Sequence, residues 1–125
     1  MENTMQPILL TILGEPASKA NSRRLVFIGG KPRVIKSKKA LDYATAFKRQ
    51  VTGSQSELLP GDVVVTITIY YASRRPDLDE SLILDLLQDV AYVNDRQVKE
   101  RHIYWGLDKT NPRAEIRVES RAVAS

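Results

Sequence analysis

The sequence predicts an α+β domain, a small mixed β-sheet covered by two helices, in the order β-β-β-α-β-α-β-β. Three observations carry this. The run DVVVTITIYY alternates strictly, with Val63, Val65, Ile67, Ile69 and Tyr71 on one face and Thr66 and Thr68 on the other. Two segments, one after Ser37 and one after Glu80, repeat apolar residues at helical spacing. The remaining apolar runs are short and bounded by Gly, Pro, Ser and Asn, as strands are. At 125 residues the whole chain, 1–125, is expected to form one domain.

Ile8 to Leu13 reads as the first strand, and GEPASKANSRR after it as a loop. LVFIGGKPRVI is a hairpin turning on Gly29-Gly30. Ser37 caps the first helix, whose apolar positions are Leu41, Ala44, Phe47 and Val51 and which stops near Gly53. After the alternating strand, Leu82 to Val90 forms a second helix. Its apolar side collects Leu82, Ile83, Leu86, Leu87 and Val90; Ser81, Asp85, Gln88 and Asp89 share the other. Strands at about Val98–Trp105 and Ala114–Glu119 complete the sheet.

Composition narrows the chemistry. The chain has no cysteine, which excludes disulfides, thiol catalysis and thiolate zinc sites. His102 is the one histidine, so chemistry needing paired histidines is excluded as well. No run approaches a membrane span and no signal peptide is read, so a soluble cytoplasmic protein is expected. The net charge of +4 is unevenly spread. Residues 1–50 carry ten Lys/Arg against three acids, and the rest nine against twelve. A basic half suggests a polyanion partner, although small basic proteins without one are common.

The acids of the second half gather around one segment. Asp77 and Asp79 are two apart in a stretch that Pro76 biases toward extended backbone, so their carboxylates project to one side. Two such charges about 4 Å apart repel by about 4 kcal/mol at an effective dielectric near 20. A divalent cation would relieve that. Asp95, in the turn VNDRQV, is the third candidate. Oxygen ligands alone suit a hard cation such as Mg²⁺, which keeps several waters and takes phosphate oxygens. The plainer alternative is structural: Asp79 caps the helix at Leu82 and Asp95 is a turn residue.

The segment RRPDLDESLILDLLQDVAYVNDRQV resembles the core motif of the RusA family of Holliday-junction resolvases. That motif is D-x-D after a strand, then a helix, then an acidic turn ending in D-x-Q-V. Asp77, Asp79 and Asp95 match the acids, and Gln97 and Val98 complete the last element. GEPASKANSRR and GGKPRVIKSKKALDY are similar to the family's opening strand, basic loop, hairpin and first helix.

The resemblance implies a dimeric, Mg²⁺-dependent endonuclease, with Mn²⁺ as an alternative ion, that cuts branched DNA at four-way junctions by paired nicks in recombination and repair. Asp77, Asp79 and Asp95 would be its metal-binding catalytic acids. A two-fold symmetric enzyme suits a substrate of near two-fold symmetry, and such proteins are common in phages and prophages. The sequence departs from the family at one place. A lysine is expected about one helical turn past the second acid, yet Glu80, Ser81, Leu82, Ile83 and Leu84 stand there. Lys99, Arg74 and Lys19 are candidates for the absent cation, and Glu80 for an added ligand.

Lys38 and Lys39, in the first turn of the first helix, oppose its dipole unless a phosphate binds there. Lys19, Arg23 and Arg24 lie where they could track a DNA backbone, and Arg74 and Arg75 beside the acids could hold the flanking phosphate. Arg74 and Arg75 could equally pair with Asp77 and Asp79. Tyr70, Tyr71, Tyr92, Tyr104 and Trp105 read as packing. Two rivals remain: a DNA-binding relative that has lost turnover, and an interaction module that binds neither DNA nor metal.

Overall fold

The computed structural model describes residues 6–18, 23–52 and 57–121. Four strands form one mixed sheet: β1 (Ile8–Leu13), β4 (Val63–Tyr71), β5 (Val98–Leu107) and β6 (Arg113–Ser120), in the order β1-β6-β4-β5. β6 runs antiparallel to both β1 and β4, with Ile116 opposite Leu10 on one side and Ile67 on the other. β4 and β5 are parallel, Ile67 opposite Ile103, so the chain between them must cross over the sheet. That crossover carries α2 (Ser81–Leu87). The expected α+β class and element order are observed.

The alternation in β4 does what it predicts. Val63, Val65, Ile67, Ile69 and Tyr71 are buried against α1 (Lys38–Val51) and α2, with Ile12, Phe47, Leu59, Ile83, Leu87, Tyr92 and Val118 in the same core. On the opposite sheet face no helix is found among the described residues. There Arg113 lies over the Tyr70 ring at 4.0 Å, and His102 contacts Glu100 at 2.6 Å. The β1 edge is closed at one point by a side chain: Gln50 accepts from Leu13 N–H at 2.7 Å and donates to Leu13 O at 3.1 Å. No helix among the described residues is long and apolar enough to cross a membrane.

β2 (Arg23–Ile28) and β3 (Lys31–Lys36) form the hairpin, as a separate two-stranded sheet. Gly29 and Gly30 sit at φ 62° and 79°, the paired positive angles of a tight turn matched to strand twist. Its faces are unlike. Leu25 pairs with Val34 and Phe27 with Pro32, while Arg24 pairs with Ile35 and Val26 with Arg33. Leu25, Phe27 and Val34 are 60–70% exposed, so this ribbon lies outside the core.

Two helix expectations need correction. Ser37 caps α1 as predicted, its Oγ accepting from Ala40 N–H at 3.2 Å. The buried side, however, is Ala40, Tyr43 and Phe47, and Leu41 is exposed. Two aromatic rings bury more surface than Leu41 would, and small Ala40 lets the helix start lie close to the sheet. α2 ends at Leu87, three residues early. Gln88 leaves helical geometry, Asp89 takes φ 66°, and this turn swings Ala91 and Tyr92 into the core. Gln88 and Asp89 therefore belong to the turn.

Candidate active site

β4 delivers the chain to the acidic pair. Its last residue, Tyr71, is buried, and its ring stacks on Trp105 of β5 at 5.9 Å between centroids. The Tyr71 hydroxyl donates to Asp77 O and accepts from Asp79 N–H, each at 3.2 Å. Trp105 Nε1 donates to Pro76 O at 3.1 Å. Leu78, between the two acids, packs against the core. Burial raises the Tyr71 phenol above its usual range against the opposing Asp79 N–H; the carboxylates of Asp79, Glu15 and Glu80 add to the rise. The hydroxyl stays protonated and remains a donor.

Asp79 also accepts from Ser81 N–H at 2.9 Å. This differs from the expected cap at Leu82: Glu80 is the N-cap residue and its side chain makes no capping bond. Glu80 instead pairs with Arg101 at 3.5 Å.

Asp77 and Asp79 line a cleft of about 420 Å³ together with Glu15, Ser18, Lys39 and Arg75. Asp77 is exposed and Asp79 half-buried. Lys39 and Arg75 thus bring positive charge to the wall that holds the acids. Lys38, next along, is 85% exposed and pairs with Asp42 at 2.9 Å, which raises its pKa. Arg74 and Arg24 are exposed, Arg23 opens β2, and Lys19 lies outside the described residues.

Asp95 stands elsewhere. It begins a 3-10 turn (Asp95–Gln97) whose N-cap, Asn94, accepts from Arg96 N–H at 2.9 Å. Gln97 locks this turn with its whole amide. Its Oε1 accepts from Val93 and Asn94 N–H at 2.9 and 3.1 Å, and its Nε2 donates to Leu59 O and Gly61 O at 2.8 and 2.7 Å. Asp95 lines a depression of about 500 Å³ with Ser81, Asp85, Lys99, Glu100 and Arg101. Burial, reinforced by the Asp95 and Asp85 carboxylates, pushes the nearby Tyr92 phenol strongly upward.

Asp77 and Asp79 line one cleft, and Asp95 lines another depression. Among the described residues no three His, Cys, Asp or Glu side chains gather as a metal-binding group. Asp77 and Asp79 still suit a hard cation that completes its shell with water and phosphate oxygens, since neither histidine nor cysteine is among the described residues lining their cleft.

Sequence reasoning missed Glu15, just past β1, and the position of Lys39, which the packing of α1 against β1 and α2 brings to the cleft. It also took Tyr71 and Trp105 for packing alone. The available signal was that Tyr71 ends the buried face of β4 six residues before Asp77.

No match was found among curated proteins. A family model described as Endodeoxyribonuclease RusA matches residues 14–119, which takes in the cleft, both acidic segments and the hairpin. Enzymes of that family are endodeoxyribonucleases that resolve Holliday junctions, bind branched DNA and are generally dependent on a divalent metal. With its match running from Gly14 to Glu119, this chain belongs to the RusA endodeoxyribonuclease family.

Proposed function

We propose that this chain is a Mg²⁺-dependent, structure-selective nuclease that resolves four-way DNA junctions by paired nicks, acting as a homodimer in the cytoplasm. The observation that carries the reading is the fastened loop that presents Asp77 and Asp79 to one cleft beside Lys39 and Arg75. Asp77 and Asp79 hold the ion. A bound Mg²⁺ supplies Lewis-acid polarisation of the phosphodiester and lowers the pKa of its water. Lys39 and Arg75 bind the phosphate next to the scissile bond and offset the charge that develops on it. Lys39 thereby stands in for the family lysine that α2 lacks, ahead of Lys99, which lines the Asp95 depression. Arg23, Arg24 and Lys19 extend the phosphate contacts along the DNA. Asp95 shares the same chemistry in this reading, which its place in the D-x-Q-V turn supports.

The test is a labelled synthetic four-way junction and a matched linear duplex, each incubated with Mg²⁺ and with chelator. Paired nicks in the junction alone, dependent on Mg²⁺, are the expected result. Absence of nicking by protein that binds the junction would remove the nuclease reading. The separation of Asp95 from the other acids favours a second reading, a junction-binding relative without turnover. It predicts retardation of the junction with steep salt dependence and no product at any Mg²⁺ concentration.

A further inference from the structure

We infer that the Tyr71 hydroxyl is a positioning group for the acidic pair, fixing the backbone between Asp77 and Asp79 so that both carboxylates face the cleft. This rests on the proposed use of those two acids. One oxygen spans the pair: it donates to the carbonyl of the first acid and accepts from the amide of the second, both at 3.2 Å. Rotation of the loop that turned either carboxylate away would break at least one of these bonds.

The hydroxyl is itself held in place. Tyr71 is 2% exposed, is the last residue of the central strand and stacks on Trp105, whose indole N–H fastens Pro76 at 3.1 Å. Two side chains of the sheet therefore make three hydrogen bonds to the four residues 76–79. A buried phenol need not do this. Tyr92 donates to the helix carbonyl of Leu84, and Tyr43 finds no partner among the described residues. Only the Tyr71 oxygen is spent on both acids.

The arrangement also accounts for how an exposed acid is kept in place. Asp77 has little packing of its own, so its direction depends on the backbone beneath it. Pre-orientation of ligands by neighbouring groups raises metal affinity without adding a ligand. Tyr71 touches neither DNA nor metal in this scheme; it acts through the two aspartates.

The variant Tyr71→Phe keeps the ring and its stacking but removes both bonds. Amide hydrogen exchange at Asp79 should accelerate by about tenfold or more, while the amides of Val65 to Ile69 keep their protection. In cleavage assays the Mg²⁺ concentration for half-maximal rate should rise several-fold, and the junction Kd in chelator should not change. Trp105→Phe, which drops the Pro76 bond and keeps an apolar ring, should move Mg²⁺ dependence in the same direction. Unchanged exchange at Asp79, or faster exchange with wild-type Mg²⁺ dependence, would overturn the inference. If the wild-type protein cuts no junction, the nuclease reading falls by itself. Exchange at Asp79 and a Mg²⁺ titration of the single tryptophan's fluorescence, compared between wild type and Tyr71→Phe, then decide the positioning role: coincident curves sink it, and a right-shifted variant curve with faster exchange supports it.

Discussion

The D-x-D loop and the Asp95 turn flank the same seven-residue helix, yet they are fastened in different ways. Aromatic side chains of the sheet hold the first from beneath, by two bonds from Tyr71 and one from Trp105. The second is held by one amide, with all four hydrogen-bonding positions of Gln97 filled from two separate loops. Both devices fix backbone. The lesson is that each acid is placed by residues that carry no charge.

The sharpest way to break this comparison is to remove one acid from each side. Asp79→Asn is expected to lower cleavage by at least about 10³-fold, equivalent to roughly 4 kcal/mol of transition-state stabilisation, with junction binding retained. Asp95→Asn is expected to lower cleavage to a similar extent while leaving Mg²⁺ binding to the DNA-free protein intact. Isothermal titration separates them: loss of Mg²⁺ binding in both variants would mean one shared site rather than two.

A smaller effect tests the amide lock. Gln97→Ala leaves the carbonyls of Leu59 and Gly61 and two turn amides without their partner, and should cost about 2–3 kcal/mol in chemical denaturation, at roughly 1 kcal/mol or less per bond. Tyr71→Phe removes two bonds and should cost less than Gln97→Ala. If the order is reversed, the aromatic fastening is the stronger one.

The cleft cations give a further contrast. Lys39→Ala should weaken junction binding and reduce its salt slope by about one unit, as loss of a phosphate contact does. Lys38→Ala, whose ammonium pairs with Asp42 on the solvent side, should change both less. Competition binding across a salt series reads the difference.

The smallest expected change concerns the buried phenol of Tyr43. Tyr43 has its hydroxyl buried without a partner among the described residues, so Tyr43→Phe should be neutral or stabilising by up to about 1 kcal/mol in thermal or chemical denaturation. Clear destabilisation would mean that its hydroxyl does have a partner.

Much of this architecture was legible in the residues because it follows local rules. Strict alternation in β4, paired glycines in the hairpin and Ser37 ahead of α1 each specify their element without reference to distant parts. The acids Asp77 and Asp79 were readable in the same way, since extended backbone alone aligns i and i+2. What the sequence hid depends on packing. The rotation of α1 was decided by which side chains the sheet could accept, and the early end of α2 by the burial of Tyr92 beyond it. Whether Asp95 meets the other acids depends on the path of the crossover, which no periodicity encodes. Lys39 reaches the cleft for a similar reason, across more than thirty residues of intervening chain.

The hairpin carries a different kind of consequence. Leu25, Phe27 and Val34 point outward, so the ribbon lends little to the core. For descent with modification this separates two rates of change. Residues along β2 and β3 can be exchanged one by one, or as a cassette, with the sheet and both acidic segments undisturbed. Tyr71, tied at once to the core and to the acids, has less freedom: a lineage that altered it would loosen the acidic loop as well as the core.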